Sequence, residues 1–280
     1  MVRQAIAASV TRILLHDPGV GIGDDPEDVH QARVGTRRLR SDLRTFAPLL
    51  DDVWVRSRRR ELAWLAGCLG AVRDADVMVE RFRARAERLG EPDTSALAPV
   101  FRQLAKERDD ARAELLVAMD SARYVGLLDQ LVAAANEPPC RPVAAKAASK
   151  VVPRLASRPW RKLAETVRAL PDKPPADDLH QVRIAAEAVR YAAEAAAPHA
   201  GKKAQAFADA VADLQTVLGH HQDAVVAEAW LQGLAPSAEL ADSSAVDHLI
   251  ELQRAEAARQ RKRWRRAWTR ASNDKLRSWL

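Results

Sequence analysis

Residues 30–44 read HQARVGTRRLRSDLR. Wound as an α-helix at about 100° per residue, the run puts His30, Arg33, Arg37, Arg40 and Arg44 on one narrow stripe. Ala32, Leu39 and Leu43 fall on the opposite side, and Phe46 and Leu50 continue that apolar face towards a core. Arg38 points away from both stripes, towards a neighbouring helix or water. Like charges at i,i+3 and i,i+4 cost a few tenths of a kcal/mol per pair. A stripe holding several such pairs over about 21 Å of helix needs an anionic offset. Acidic side chains of neighbouring helices are one source, and an external polyanion is the other.

Outward from this run, the composition sets the class. The 280 residues are 48% hydrophobic, 29% charged and only 5% aromatic, with alanine, leucine, arginine and glutamate recurring, a mixture that favours helix. No apolar run reaches the ~18 residues of a membrane span. The N-terminal stretch is amphipathic, carries Arg3 and Arg12, and lacks the apolar centre of a signal peptide. Cys68 and Cys140 make no disulfide framework, so a reducing cytoplasm is the expected compartment. The formal net charge of +6 is unevenly placed. Acids and bases roughly balance through residue 140, and the surplus lies mostly between Arg254 and Arg277.

The breaks predict helices nearly throughout. A first helix is expected from about Val2 to Leu15, ending before Asp17-Pro18-Gly19. Asp24-Asp25-Pro26-Glu27-Asp28 opens the central helix, and Pro48 interrupts or closes it near its end. A third segment runs from about Asp52 to Leu69, with a kink or brief break at Leu69-Gly70, and Arg56, Arg58, Arg59 and Arg60 crowd its first turns. A further helix follows to Leu89-Gly90, then the turn Glu91-Pro92-Asp93, a helix from about Ser95 to Met119, and another from about Ser121 to Ala135. Asn136 to Pro142 reads as a linker. Beyond it, Asp177-Asp178-Leu179-His180-Gln181-Val182-Arg183 echoes Glu27-Asp28-Val29-His30-Gln31-Ala32-Arg33. Leu218-Gly219 with Asp223 likewise echoes Leu69-Gly70 with Asp74 at nearly the same offset. The expectation is an all-α fold made by internal duplication, with antiparallel four-helix bundles in residues 1–137 and 143–280 related by pseudo-symmetry.

At these residues the chain resembles a known family. Val29 to Arg44, VHQARVGTRRLRSDLR, and Leu69 to Val77, LGAVRDADV, resemble the signatures of the CHAD family, the conserved histidine α-helical domain. Leu179-His180-Gln181-Val182-Arg183-Ile184 and Leu218-Gly219 with Asp223 resemble its weaker second repeat. The resemblance implies two helical bundles that bind inorganic polyphosphate on a basic surface between them, without a cofactor. It also implies a fused or associated triphosphate-processing domain as a partner. The E-x-E-x-K motif of that domain does not occur here, so the expectation is a stand-alone member or a piece of a longer protein, cytoplasmic and associated with polyphosphate granules. In the second repeat Glu187 and Glu194 align with Arg37 and Arg44, so the second half is expected to contribute less to anion binding.

The expected polyphosphate-binding set is therefore His30, Arg33, Arg37, Arg38, Arg40, Arg44, His180, Arg183 and Arg190. Guanidiniums suit the task because their planar forks make charge-assisted, bidentate bonds and stay ionised. The opposing reading is an internal salt-bridge network with Asp74, Asp76 and Glu80. His30 and His180 lie among cations, which disfavours both a further positive charge and metal ligation. Asp74 and Asp76 either orient arginines or coordinate magnesium bridged to phosphate. On the last helix Arg259, Lys262, Arg263, Arg266 and Arg270 share a side opposite Trp264 and Trp268. The tryptophans lie at i,i+4, the spacing of core packing, which leaves the basic face to extend a polyphosphate track or attract another polyanion; were the rings instead to stack bases, the helix would bind single-stranded nucleic acid. No glycine-rich phosphate loop, G-x-S-x-G elbow or H-E-x-x-H motif is present, so a binder is expected rather than an enzyme. The alternatives are a nucleic-acid-binding helical module and a metal-dependent phosphohydrolase.

Overall fold

Pro18, expected to end the first helix, lies inside it: α1 spans Val2–Ile22. The helix stops at Gly23, whose φ of 83° is the left-handed conformation that glycine adopts without steric cost. Arg112 closes this end by donating to the carbonyls of Val20 (3.2 Å), Gly21 (2.9 Å) and Ile22 (2.9 Å). Tyr124 donates to the Asp17 carboxylate beside the proline. These contacts hold the last turn where the proline removes a backbone donor.

The computed structural model describes residues 1–87, 96–234 and 244–280, with the side chains of 148–150 left aside. The helices after α1 are α2 (Pro26–Thr45), α3 (Asp52–Ala86), α4 (Ala98–Met119), α5 (Ala122–Asn136), α6 (Ala148–Arg168), α7 (Ala176–Ala200), α8 (Lys202–Leu234), α9 (Ser244–Ala271) and α10 (Asp274–Arg277). The fold is all-α, as the sequence predicts. Among the described residues β pairing is confined to an isolated bridge between Leu50 and Cys140. Pro48 lies in a 3₁₀ turn, Ala47–Leu49, just beyond the end of α2. Of the kink or brief break expected at Leu69-Gly70, the break is absent: α3 runs through it for 35 residues. A helical glycine costs only about 1 kcal/mol, and Leu69 and Val72 beside it are buried. The expected turn at Leu89 to Asp93 lies outside the described residues.

Two compact units form. The first comprises residues 1–77 and 106–155, and the second residues 78–105 and 156–280. The grouping differs from a division at the linker into 1–137 and 143–280, because the uninterrupted α3 carries 78–86 into the second unit and 143–155 belong to the first. The linker itself is tied down: Asp51 N–H donates to the Pro139 carbonyl (2.9 Å), and Arg141 N–H to that of Leu49 (2.8 Å). Within the second unit Trp160, Phe207, Leu214 and Trp264 share a core, and Trp160 stacks on Trp268 at 5.5 Å. A separate cluster joins Phe82, Leu97 and Leu104 to Leu231 and Leu249.

Candidate functional site

The basic stripe is carried by α2. Asp25 caps the helix by accepting from Glu27 N–H at 2.8 Å, with Pro26 at the first helical position. The apolar side packs along α1, and Val29, Ala32, Leu39 and Leu43 are buried. Each large side chain so buried contributes about 1.5–3 kcal/mol. Gly35 sets the closeness of this packing: a Cβ there would lie 2.9 Å from Ile13 Cγ1 and 3.1 Å from the Ser9 carbonyl oxygen. With this side committed to α1, the histidine and arginines turn the other way.

They meet α3. Burial and then Arg73 depress the pKa of His30, Arg33 lies against Gly70, and burial and then Arg59 depress the pKa of Arg44. Three residues forward on α2, from His30 to Arg33, match three residues back on α3, from Arg73 to Gly70. Eleven more forward, to Arg44, match eleven more back, to Arg59. The two helices therefore run antiparallel. Arg59, Ala63, Ala66, Gly70 and Arg73 share one face of α3, with small residues between a cation at each end.

The offsets are uneven along the stripe. At one end Arg33 Nη1 lies 3.1 Å from Asp74 Oδ1. Burial, then Arg73, hold the His30 imidazole below the ordinary histidine range, with Arg33 and Arg37 adding to the effect and Glu27 opposing it. At the other end Arg40, Arg44 and Arg59 stand together. Desolvation lowers the pKa of Arg44, and Arg59 and Arg40 lower it further; desolvation and Arg40 do the same to Arg59. Among the described residues no acid forms an ion pair with any of these three. Among the described residues their like charges are uncompensated, so this end is a ready seat for an anion.

Asp76 accepts from Arg108 Nε at 2.7 Å, so Asp74 and Asp76 both hold arginines. Among the described residues no group of three or more histidine, cysteine, aspartate or glutamate side chains is disposed to hold a metal ion. The internal-network reading thus applies to Arg33, and it does not extend to Arg40 and Arg44.

His180, Arg183 and Arg190 lie on α7, in the second unit. Burial and then Arg183 depress the His180 pKa, against Asp177, which raises it. Arg190 Nε is 3.7 Å from Glu194 Oε1, and its guanidinium lies over the Tyr191 ring. Glu187 accepts from Gln215 at 3.3 Å. The acids that replace arginines in the second sequence motif are therefore engaged with polar neighbours, one of them an expected binding residue.

Arg59 is the residue the sequence motif missed. Its signal was available, since Arg59 and Arg73 fall on one face of α3, but only the pairing with α2 shows which face matters. On α9 the tryptophans belong to the core: Trp264 is 2% exposed and Trp268 stacks on Trp160. Neither presents a ring for a base.

Residues 4–232 match the CHAD domain family. The chain is 33% identical over 250 residues to the Mycobacterium tuberculosis uncharacterized proteins Rv2226 (strain H37Rv) and MT2285 (strain CDC 1551), covering 82% of this chain and 44% of each relative. It thus spans under half the length of the curated relatives it matches. Among solved structures it is similar to PptA from Streptomyces chartreusis, with 27% identity and a TM-score of 0.79 over 96% of this chain and 98% of that one. It is also similar to the CHAD domain from the plant Ricinus communis, with 27% identity and a TM-score of 0.75 over 95% and 89%.

Proposed function

The chain belongs to the CHAD domain family, and from that premise we propose that it binds inorganic polyphosphate along the α2 stripe without turning it over. The observation that carries the reading is the cluster of Arg40, Arg44 and Arg59 with no acid paired to it among the described residues. Such crowding is unfavourable until an anion arrives, and phosphate oxygens accept from guanidinium forks in bidentate, charge-assisted geometry. A flexible polyanion gripped at several points releases counterions, so affinity falls steeply with salt. The role that follows is docking: the chain, with any triphosphate-processing domain fused to or associated with it, is held on cytoplasmic polyphosphate, granules included.

The test is a titration with long-chain polyphosphate across a salt series, with single-stranded DNA as competitor. Tight, salt-sensitive binding that DNA of equal charge fails to displace supports the reading. The double variant R40E/R44E should lose at least about 100-fold in affinity with an unchanged far-ultraviolet circular dichroism spectrum. Unchanged affinity in that folded variant removes the reading.

A further inference from the structure

We propose that the outward face of α9 is a second polyphosphate-binding surface, distinct from the α2 stripe; the assignment rests on the polyphosphate reading above. Between residues 259 and 270 the chain has seven cations and no acid, against a net charge of only +6 for the whole protein. Without this segment the protein is close to neutral. The family match ends at residue 232, before α9 begins.

The burial pattern shows how the cations are presented. Trp264, Ala267 and Ala271 are buried and anchor one side of α9 in the core, which leaves Arg261, Lys262, Arg263 and Arg266 exposed. The flanking arginines have partners. Arg254 pairs with Glu228 at 2.7 Å, Arg259 with Glu256, and Arg270 with Asp213 at 3.2 Å, while Arg265 donates to the Asp172 carbonyl at 2.6 Å. No acid pairs with Arg261, Lys262, Arg263 or Arg266 among the described residues. Four cations within two turns of helix, uncompensated and facing solvent, make a strongly attractive field for a polyanion.

The rest of the face selects among polyanions. No large apolar side chain stands among the exposed residues of this segment, so the face lacks the apolar payload by which an amphipathic helix enters a lipid surface. Single-stranded nucleic acid gains much of its affinity by stacking bases on aromatic rings, and both tryptophans here are turned inward. A polymer that is phosphate alone forfeits nothing on such a surface.

The full-length protein is titrated calorimetrically with short-chain polyphosphate, alongside R261E/K262E/R266E and R40E/R44E. Among the described residues none of the three α9 side chains is buried or hydrogen-bonded, so this variant keeps the fold, and its unchanged circular dichroism verifies that. Wild type should show two binding steps. R261E/K262E/R266E should lose one of them, weakened by at least about 30-fold, and with it about 2 units of salt slope, as expected for three phosphate contacts to a single strand. R40E/R44E should keep that same step and lose the other. A single step in wild type that R261E/K262E/R266E leaves untouched and R40E/R44E abolishes would overturn the α9 surface while sparing the α2 reading. Absence of binding in every form would overturn both. If single-stranded DNA of equal phosphate content displaces polyphosphate from R40E/R44E on equal terms, the assignment of α9 to polyphosphate is overturned.

Discussion

Arg33 reaches Asp74 through Nη1 at 3.1 Å, and its guanidinium lies against the bare backbone of Gly70. The first arginine of the stripe is thus held by an acid that a ligand must displace or share. Asp74 is well exposed, and an exposed pair is worth about 0–1 kcal/mol. The variant D74N should therefore bind polyphosphate up to about fivefold more tightly, as read by titration at low salt. Weaker binding by D74N would mean instead that Asp74 presents Arg33 to the ligand.

At the other end the sign reverses, because repulsion among Arg40, Arg44 and Arg59 burdens the free protein. R59Q should melt at the same temperature as wild type or a few degrees higher in the absence of ligand. It should also lose most of the rise in melting temperature that polyphosphate gives wild type. Thermal scans with and without ligand measure both quantities.

His30 titrates in a basic surrounding that lowers its pKa. The unfolded chain takes up this proton first. The stability tied to the neutral imidazole is therefore complete above about pH 6.5 and is lost as pH falls through the folded value. A bound polyanion opposes the depression, so binding draws in a proton and affinity rises as pH falls from about 7.5 to 5.5. H30Q should flatten that dependence, seen in titrations repeated in buffers of different ionisation enthalpy.

Gly23 sustains a left-handed φ, and a Cβ there would meet the Arg112 guanidinium at 2.1 Å. G23A should cost about 1–2 kcal/mol in denaturant unfolding, since both the backbone and the Arg112 cap must shift. Polyphosphate affinity should remain at the wild-type level, because the α2 stripe does not depend on this cap.

The amphipathic logic of α2 was legible in the sequence because 3.6-residue periodicity alone separates Leu39 and Leu43 from Arg40 and Arg44. Pro18 and Gly70 misled for one reason. Each is a local breaker, and its cost is small beside tertiary contacts that no local pattern displays: Arg112 and Tyr124 around the end of α1, and buried Leu69 and Val72 beside Gly70. Arg59 stayed hidden because its meaning depends on the register between two helices. Trp264 and Trp268 illustrate the opposite case, where spacing at i,i+4 was enough to point inward.

The antiparallel register of α2 and α3 also makes the stripe a ruler. Its two crowded ends, His30 with Arg73 and Arg44 with Arg59, are fourteen residues apart, about 21 Å along the helix. Between Arg59 and Arg73 this face of α3 carries Ala63, Ala66 and Gly70. An anion shorter than that span can satisfy one end and must leave the other repelling itself, whereas a longer chain neutralises both at once. Affinity should then rise in a step at a threshold length, and the position of that step is written into the spacing of the two helices.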